Sequence, residues 1–287
     1  MSLHEFWLQL LNGITFGALL FLVSSGFTLI FGLMRIVNLA QGSLYLIGGY
    51  IGLSLIRATG SYWLALLGGA VAVGALGLAI ERGLLQRVRG RPMSEILLTV
   101  GLSFIAADLA LAIWGGDPQT LSVPNGIDGK AMIFGVTYPV FRLVVLGLGV
   151  VVAVGLWALL EHTRIGAIVR AGVDDREMVA ALGINVKAVF TGVFALGALL
   201  AGLAGVVGGA CLSLYPGADT EILTYSLVVV VIGGLGSLRG AIVGSLLVGL
   251  VYDFGQSLVP DLAYFVVFAP MALVLLLRPR GLFGRAG

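Results

Sequence analysis

Two short clusters set neutral hydrogen-bonding groups among glycines inside otherwise apolar sequence: Asn38-Leu-Ala-Gln-Gly42 and Gly233-Gly-Leu-Gly-Ser237. Asn, Gln and Ser side chains can meet a polar solute without carrying charge. Glycine interrupts a helix or lets another backbone approach. Inside a membrane, such breaks expose helix ends and unpaired backbone groups, which are tolerated only where they are buried in protein or line a water-filled path. Asn38, Gln41, Gly42, Gly233, Gly234, Gly236 and Ser237 are therefore candidate pathway residues. The competing reading makes both clusters turns between helices on the inner face, with Gly supplying a positive φ and Asn or Ser a cap.

A second candidate lies between Glu161 and Lys187, the one long polar stretch expected on the inner face. Within it, Asp174 to Gly183 is predicted to form a short helix. Asp174 and Glu177 fall at its positive end, Met178, Ala181 and Leu182 make an apolar stripe, and Gly183 ends it. Together with Arg170, these residues suit docking to another protein; the plainer alternative is a helix lying on the membrane surface.

Covalent, metal and nucleotide chemistry find no comparable foothold. His4, His162 and Cys211 are too few and too scattered for a metal site, and one cysteine cannot close an internal disulfide. Ser24 and Ser25 have no neighbouring base, so their hydroxyls are expected on backbone carbonyls. Neither lysine, Lys130 or Lys187, sits in a phosphate-binding loop, and Arg239 stands where a dinucleotide fingerprint needs its third glycine. No bound cofactor is expected, and the chain does not read as an enzyme. Asp108 is the one ionisable residue predicted inside a span, so energy coupling is expected from outside the chain.

These groups are positioned by a membrane bundle. The chain has 287 residues, is 59% hydrophobic and only 10% charged, and has a mean hydropathy of +1.11; such a composition cannot cover a soluble surface. Charge-free runs cover Phe6 to Met34, Ile36 to Ile56, Ala58 to Ile80, Leu143 to Leu160 and Ala188 to Ala218, each close to the roughly 20 residues a span needs. Ile96 to Gly116, Ile222 to Tyr252 and Leu262 to Leu277 complete the set, the second read as two short helices joined near the inner face.

Eleven of the sixteen basic residues fall in Arg82 to Arg91, Arg164 to Lys187 and Arg278 to Arg285, which marks these stretches as cytoplasmic. The expected product is one all-α polytopic domain over residues 1–287, with eight or nine crossings, the amino terminus outside and the carboxy terminus inside. Alternating the crossings puts Asp117, Asp128, Asp219, Glu221, Asp253 and Asp261 outside. Met1 to Glu5 lacks a basic region, so no cleaved signal is expected. The net charge of +2 reflects this topology rather than nucleic-acid binding.

Glycines at four-residue spacing, among them Gly13 and Gly17, Gly48 and Gly52, and Gly205 and Gly209, predict close helix packing. A short echo between Ser94-Glu-Ile-Leu-Leu98 and Thr220-Glu-Ile-Leu-Thr224, with opposite predicted directions, hints at an inverted repeat.

In order and spacing, several of these residues resemble the first membrane subunit of branched-chain amino-acid ABC importers. The resemblance covers nearly the whole chain. It runs from Asn38 to Gly42 with Gly48 and Tyr50, through Glu81-Arg82 and Arg91-Pro92, and on to Arg164-Ile-Gly, Arg170-Ala and Met178 to Asn185. It continues with Gly197, Ala201 and Gly202, then Ile232 to Ser237 with Gly240, Ala241 and Gly244, and ends at Pro279-x-Gly281. It implies an ABC-importer-type permease working with a second, similar permease, two ATPase subunits that bind ATP, and an external solute-binding protein. The cargo implied is a branched-chain or related amino acid. Where the family commonly has His, this chain has Gln41, which keeps the hydrogen bonds but cannot become a cation; urea, short amides or aromatic carboxylates are thereby alternative cargoes. A self-powered carrier or channel is the more distant alternative.

Overall fold

The computed structural model describes residues 2–34, 37–124, 126–133, 135–174 and 176–284. Helices run in the order α1 (Leu3–Met34), α2 (Gln41–Thr59), α3 (Tyr62–Ile80), a π turn (Glu81–Leu85), α4 (Gln86–Val88) and α5 (Pro92–Trp114). A two-stranded antiparallel hairpin, β1 (Lys130–Ile133) and β2 (Val136–Pro139), precedes α6 (Val140–His162), α7 (Arg164–Asp174) and α8 (Arg176–Ala181). The chain continues with α9 (Val186–Cys211), α10 (Ala218–Gly233), α11 (Leu238–Leu258), a 3-10 turn (Pro260–Leu262) and α12 (Ala263–Leu277).

Among the described residues, six helices are long and apolar enough to cross a membrane: α1, α3 with its extension to Val88, α5, α6, α9 and α11. With the shorter or more polar α2, α10 and α12, they form the expected bundle. Local signals set several ends. The Asn185 side chain accepts from Ala188 N (3.1 Å) at the start of α9, and Ser237 accepts from Gly240 N (3.1 Å) at the start of α11. Pro92 opens α5, where its missing N–H costs nothing.

Two halves of the chain interlock. The first helix of one half packs antiparallel on the third helix of the other: α1 lies on α11, and α9 lies on α3. Glycines make both contacts possible. A Cβ on Gly13 would meet Leu250 Cα at 2.9 Å, and one on Gly202 would meet Gly69 O at 3.0 Å. The inverted arrangement the sequence hinted at is therefore present, but in a different register. Ser94 lies in α5, a fourth helix, whereas Thr220 lies in α10, a second helix, so the echo does not mark equivalent positions.

The described parts of the three basic stretches gather at one end of the bundle. Gln86 donates to Thr191 Oγ1 (3.2 Å) near the start of α9, Gly172 lies by Leu33 near the end of α1, and Gly284 packs on Gly234. The β-hairpin covers the opposite end, where the buried Tyr138 hydroxyl donates to Leu11 O (3.0 Å) and pairs with Thr15 (2.8 Å). Outward faces of α5 and α6 remain apolar and exposed, including Phe104, Ile105, Val150 and Val151, as lipid or another apolar helix requires.

A buried junction of helix ends

The Asn38 to Gly42 cluster is a turn, but not at the end of the bundle. Gln41 is completely buried. Its Nε2 donates to Gly197 O (3.1 Å) in α9 and Val23 O (3.4 Å) in α1, and its Oε1 accepts from Asn38 Nδ2 (3.3 Å). Asn38 Oδ1 accepts from Ala40 N (3.2 Å), and Leu39 N donates to Thr99 Oγ1 (3.4 Å) in α5. Gly197 is eleven residues into α9, about 16 Å at 1.5 Å per residue. Helix α2 therefore begins midway through the bundle, its entry loop climbing back from the basic end.

Helix α10 begins midway as well, from the other side. After α9 ends, residues 212–217 turn back inward, and Asp219 is buried beside the start of α2. Ser43 Oγ donates to Asp219 Oδ2 (3.2 Å), and a Cβ on Gly42 would overlap the Asp219 carbonyl oxygen. The sequence places Asp219 outside, and its competing turn reading puts Gly42 on the inner face. Contact between them corrects both placements, because two helix amino termini meet in the middle of the bundle, where their unpaired N–H groups favour a nearby carboxylate. Asp219 also corrects the expectation that Asp108 is the lone ionisable group within the spans. Asp108 itself sits sixteen residues into α5, exposed beside Tyr50 and Gly217.

Gly233 to Ser237 sits elsewhere. Gly236, with φ +80°, lies against Gly32 near the end of α1, and Gly234, with φ +98°, lies against Gly284. This cluster is a turn at the basic end, its Ser237 hydroxyl capping α11. The two clusters do not meet: from Val23 to Gly32 along α1 is nine residues, or about 13 Å.

The predicted docking helix falls on the end of α7, at Asp174, and on α8, from Arg176 to Ala181. Position 175 and the side chains of Asp174 and Glu177 lie outside the described residues. Arg170 pairs with Glu161 at 3.4 Å. Gly183 ends the helix with φ +79°, its N–H donating to Ala180 O (3.0 Å). Met178, Ala181 and Leu182 are exposed, while Val179 turns into the core. The apolar stripe thus faces away from the chain.

One polar cluster escaped the sequence reading except as part of a motif. Glu81, wholly buried in the π turn, pairs with Arg89 and accepts from Thr191 Oγ1 and from Gln86 Nε2 (2.8 Å). Arg89 also lies over the Phe190 ring at 4.7 Å. The cluster ties the end of α3 to the first turns of α9, next to α8. A buried carboxylate of this kind persists only when paired and hydrogen-bonded.

Apolar helices interlocked as inverted halves, two of them starting midway, with a polar segment at one end, define the membrane component of a transporter. The family described as branched-chain amino acid transport system permease component matches residues 9–275, and the chain belongs to it. It is 28% identical to the high-affinity branched-chain amino acid transport system permease protein BraD of Pseudomonas aeruginosa, over 99% of this chain and 97% of that protein. With the corresponding permease LivH of Escherichia coli it shares 29% identity over 96% and 95% of the two chains. A solved structure described as PsaBC from Streptococcus pneumoniae in complex with Fab has the same fold at a TM-score of 0.50, with 13% identity, covering 93% of this chain and 89% of that one.

Proposed function

We propose that this chain is one membrane half of an ATP-driven importer for a branched-chain or closely related amino acid. It works with a second permease, two ATP-hydrolysing subunits and an external binding protein. The full-length family match is the observation that carries this reading, and the relatives' names favour amino acids over urea, amides or aromatic carboxylates. In this reading the basic end is cytoplasmic, so the amino terminus lies outside and the carboxy terminus inside. Met178, Ala181 and Leu182, with Arg170 and Gly183 shaping the segment, dock an ATPase. Asn38, Gln41 and Gly42 border the solute route at mid-depth, and Gly233, Gly234, Gly236 and Ser237 form the turn at its inner mouth.

Neutral groups suit a conduit, since a site that held its solute tightly would slow release. The buried Gln41 layer then represents a closed state. Co-expression with its cognate permease, ATPase and binding-protein chains is expected to yield a complex that takes up leucine into proteoliposomes only with ATP on the ATPase side and binding protein on the opposite side. Uptake by this chain alone, driven by a proton or sodium gradient, would support the self-powered alternative instead.

A further inference from the structure

Between α1, α2, α10 and α11, on the outer side of the Gln41 layer, lies a cleft of about 150 Å³. Phe16, Tyr45, Tyr215, Glu221, Tyr225 and Tyr252 line it. Three of these rings form a cluster: Phe16 and Tyr252 have centroids 4.5 Å apart, Tyr225 and Tyr252 5.3 Å, and Phe16 and Tyr225 5.8 Å. Among the described lining residues Glu221 is the only charged one, and none is Lys, Arg or His. Tyr215 donates its hydroxyl to Glu221 Oε2; the other carboxylate oxygen has no protein partner among the described residues. Glu221 and Tyr225 are four residues apart on α10 and so share one face.

A carboxylate set into an apolar membrane bundle is retained at a cost and marks a pathway or ligand site by default. A second observation points to the same place. Ser213, which also lines the cleft, is the one non-glycine residue with positive φ (72°) among those described. Such strain persists where the surroundings over-determine it. Here Thr120 holds the Ser213 hydroxyl at 2.8 Å, and Gln119 and Leu214 exchange backbone hydrogen bonds of 2.7 Å. The outer loop thus clamps residues 212–217 in the shape that brings Tyr215 onto Glu221.

We infer that this cleft binds a small solute with a primary ammonium group on an apolar body, the ammonium against Glu221 and the aromatic rings around it. Aromatic faces attract ammonium ions, and the half-buried Glu221 carboxylate, which opens onto the cleft, supplies the opposite charge. The volume matches that of a cavity able to hold a ring of about six heavy atoms, so the body is limited to a chain of about four or five carbons. The site lies within one subunit, above the junction on the same helices: Phe16, Val23 and Gly32 of α1 mark cleft, junction and inner turn in succession. The inference rests on the transport reading for its biological cargo but not for its chemistry.

Calorimetric titration of the full chain in lipid nanodiscs tests it with three probes of equal apolar body: isopentylamine, leucine and 4-methylvalerate. Isopentylamine and leucine are expected to bind, and 4-methylvalerate at least about tenfold more weakly. Glu221→Gln should weaken the two amines by about tenfold or more, as should Tyr252→Leu, which leaves the carboxylate in place and covers the case of a misfolded first variant. Equal binding of all three probes, no binding by the amines, or unchanged binding in both folded variants would overturn the inference. The two proposals fail separately. A Glu221→Gln complex that imports leucine normally removes the cleft and leaves the importer, whereas an assembled complex that imports no amino acid, from a chain that still binds isopentylamine, does the reverse.

Discussion

Gly205→Leu is expected to prevent the bundle from forming. A Cβ at Gly205 would fall on the Tyr45 carbonyl oxygen and within 2.8 Å of Gly49 N, so the obstruction is the backbone of α2 rather than a side chain that could swing away. Overpacking of a well-filled core costs about 1–3 kcal/mol where neighbours can shift, and a clash with rigid backbone lies at or beyond the top of that range. Gly192 supplies the control. It sits on the same helix with nothing within 4 Å of a built Cβ, and leucine there gains helix propensity of somewhat under 1 kcal/mol. Thermal unfolding in detergent should show Gly192→Leu near the parent midpoint and Gly205→Leu with little folded protein; similar midpoints would mean that α2 and α9 are not in backbone contact.

Ala181→Glu is expected to leave the chain folded and abolish the assembled transporter's activity. Ala181 is exposed between Met178, 59% exposed, and Leu182, 71% exposed, so the isolated chain loses no packing. The cost arises only on docking, when an unpaired carboxylate is taken into an apolar contact, at several kcal/mol, or two or more decades of affinity at about 1.4 kcal/mol per decade. Affinity purification with the ATPase chains reads the loss directly. Retention of the ATPases and of ATP-driven uptake by this variant would show that α8 lies on the membrane surface or points at nothing.

What the sequence disclosed and what it hid divide along a physical line. Features decided by neighbours in the chain were legible: the ends at Gly183 and Ser237, the membrane class, and the gathering of Arg82 to Arg91 with Arg164 to Lys187. Depth was not. A charge-free run reports that a segment avoids water, but not where along the membrane normal it starts, so α2 reads as a full crossing and α10 as a short helix of no stated depth. Asp219 read as an outer residue because it stands at the end of such a run; its partner Ser43 is 176 positions away, and nothing local reports that pairing. The aromatic cleft was invisible for the same reason, its tyrosines coming from α2, the 212–217 loop, α10 and α11. Glu81 appeared within a motif, but its burial follows from the π turn and from Thr191 on α9, neither of which composition or spacing announces.

In the proposed transporter, solute passes the buried junction where α2 and α10 begin, with Gln41 at its centre. Uptake of leucine into proteoliposomes by the full complex, measured beside its ATPase rate for the parent, Gln41→Leu and Gln41→His, tests this most directly. Gln41→Leu removes the bonds to Gly197, Val23 and Asn38, at about 1–3 kcal/mol for the buried groups left unpaired. The complex should nonetheless assemble and hydrolyse ATP. Its uptake should fall roughly tenfold, the rate equivalent of a single lost hydrogen bond near 1.4 kcal/mol, while Gln41→His, which can still donate and accept, keeps most of it. Uptake by Gln41→Leu equal to the parent's, at equal ATPase rate, would contradict the claim and place the route elsewhere in the assembly.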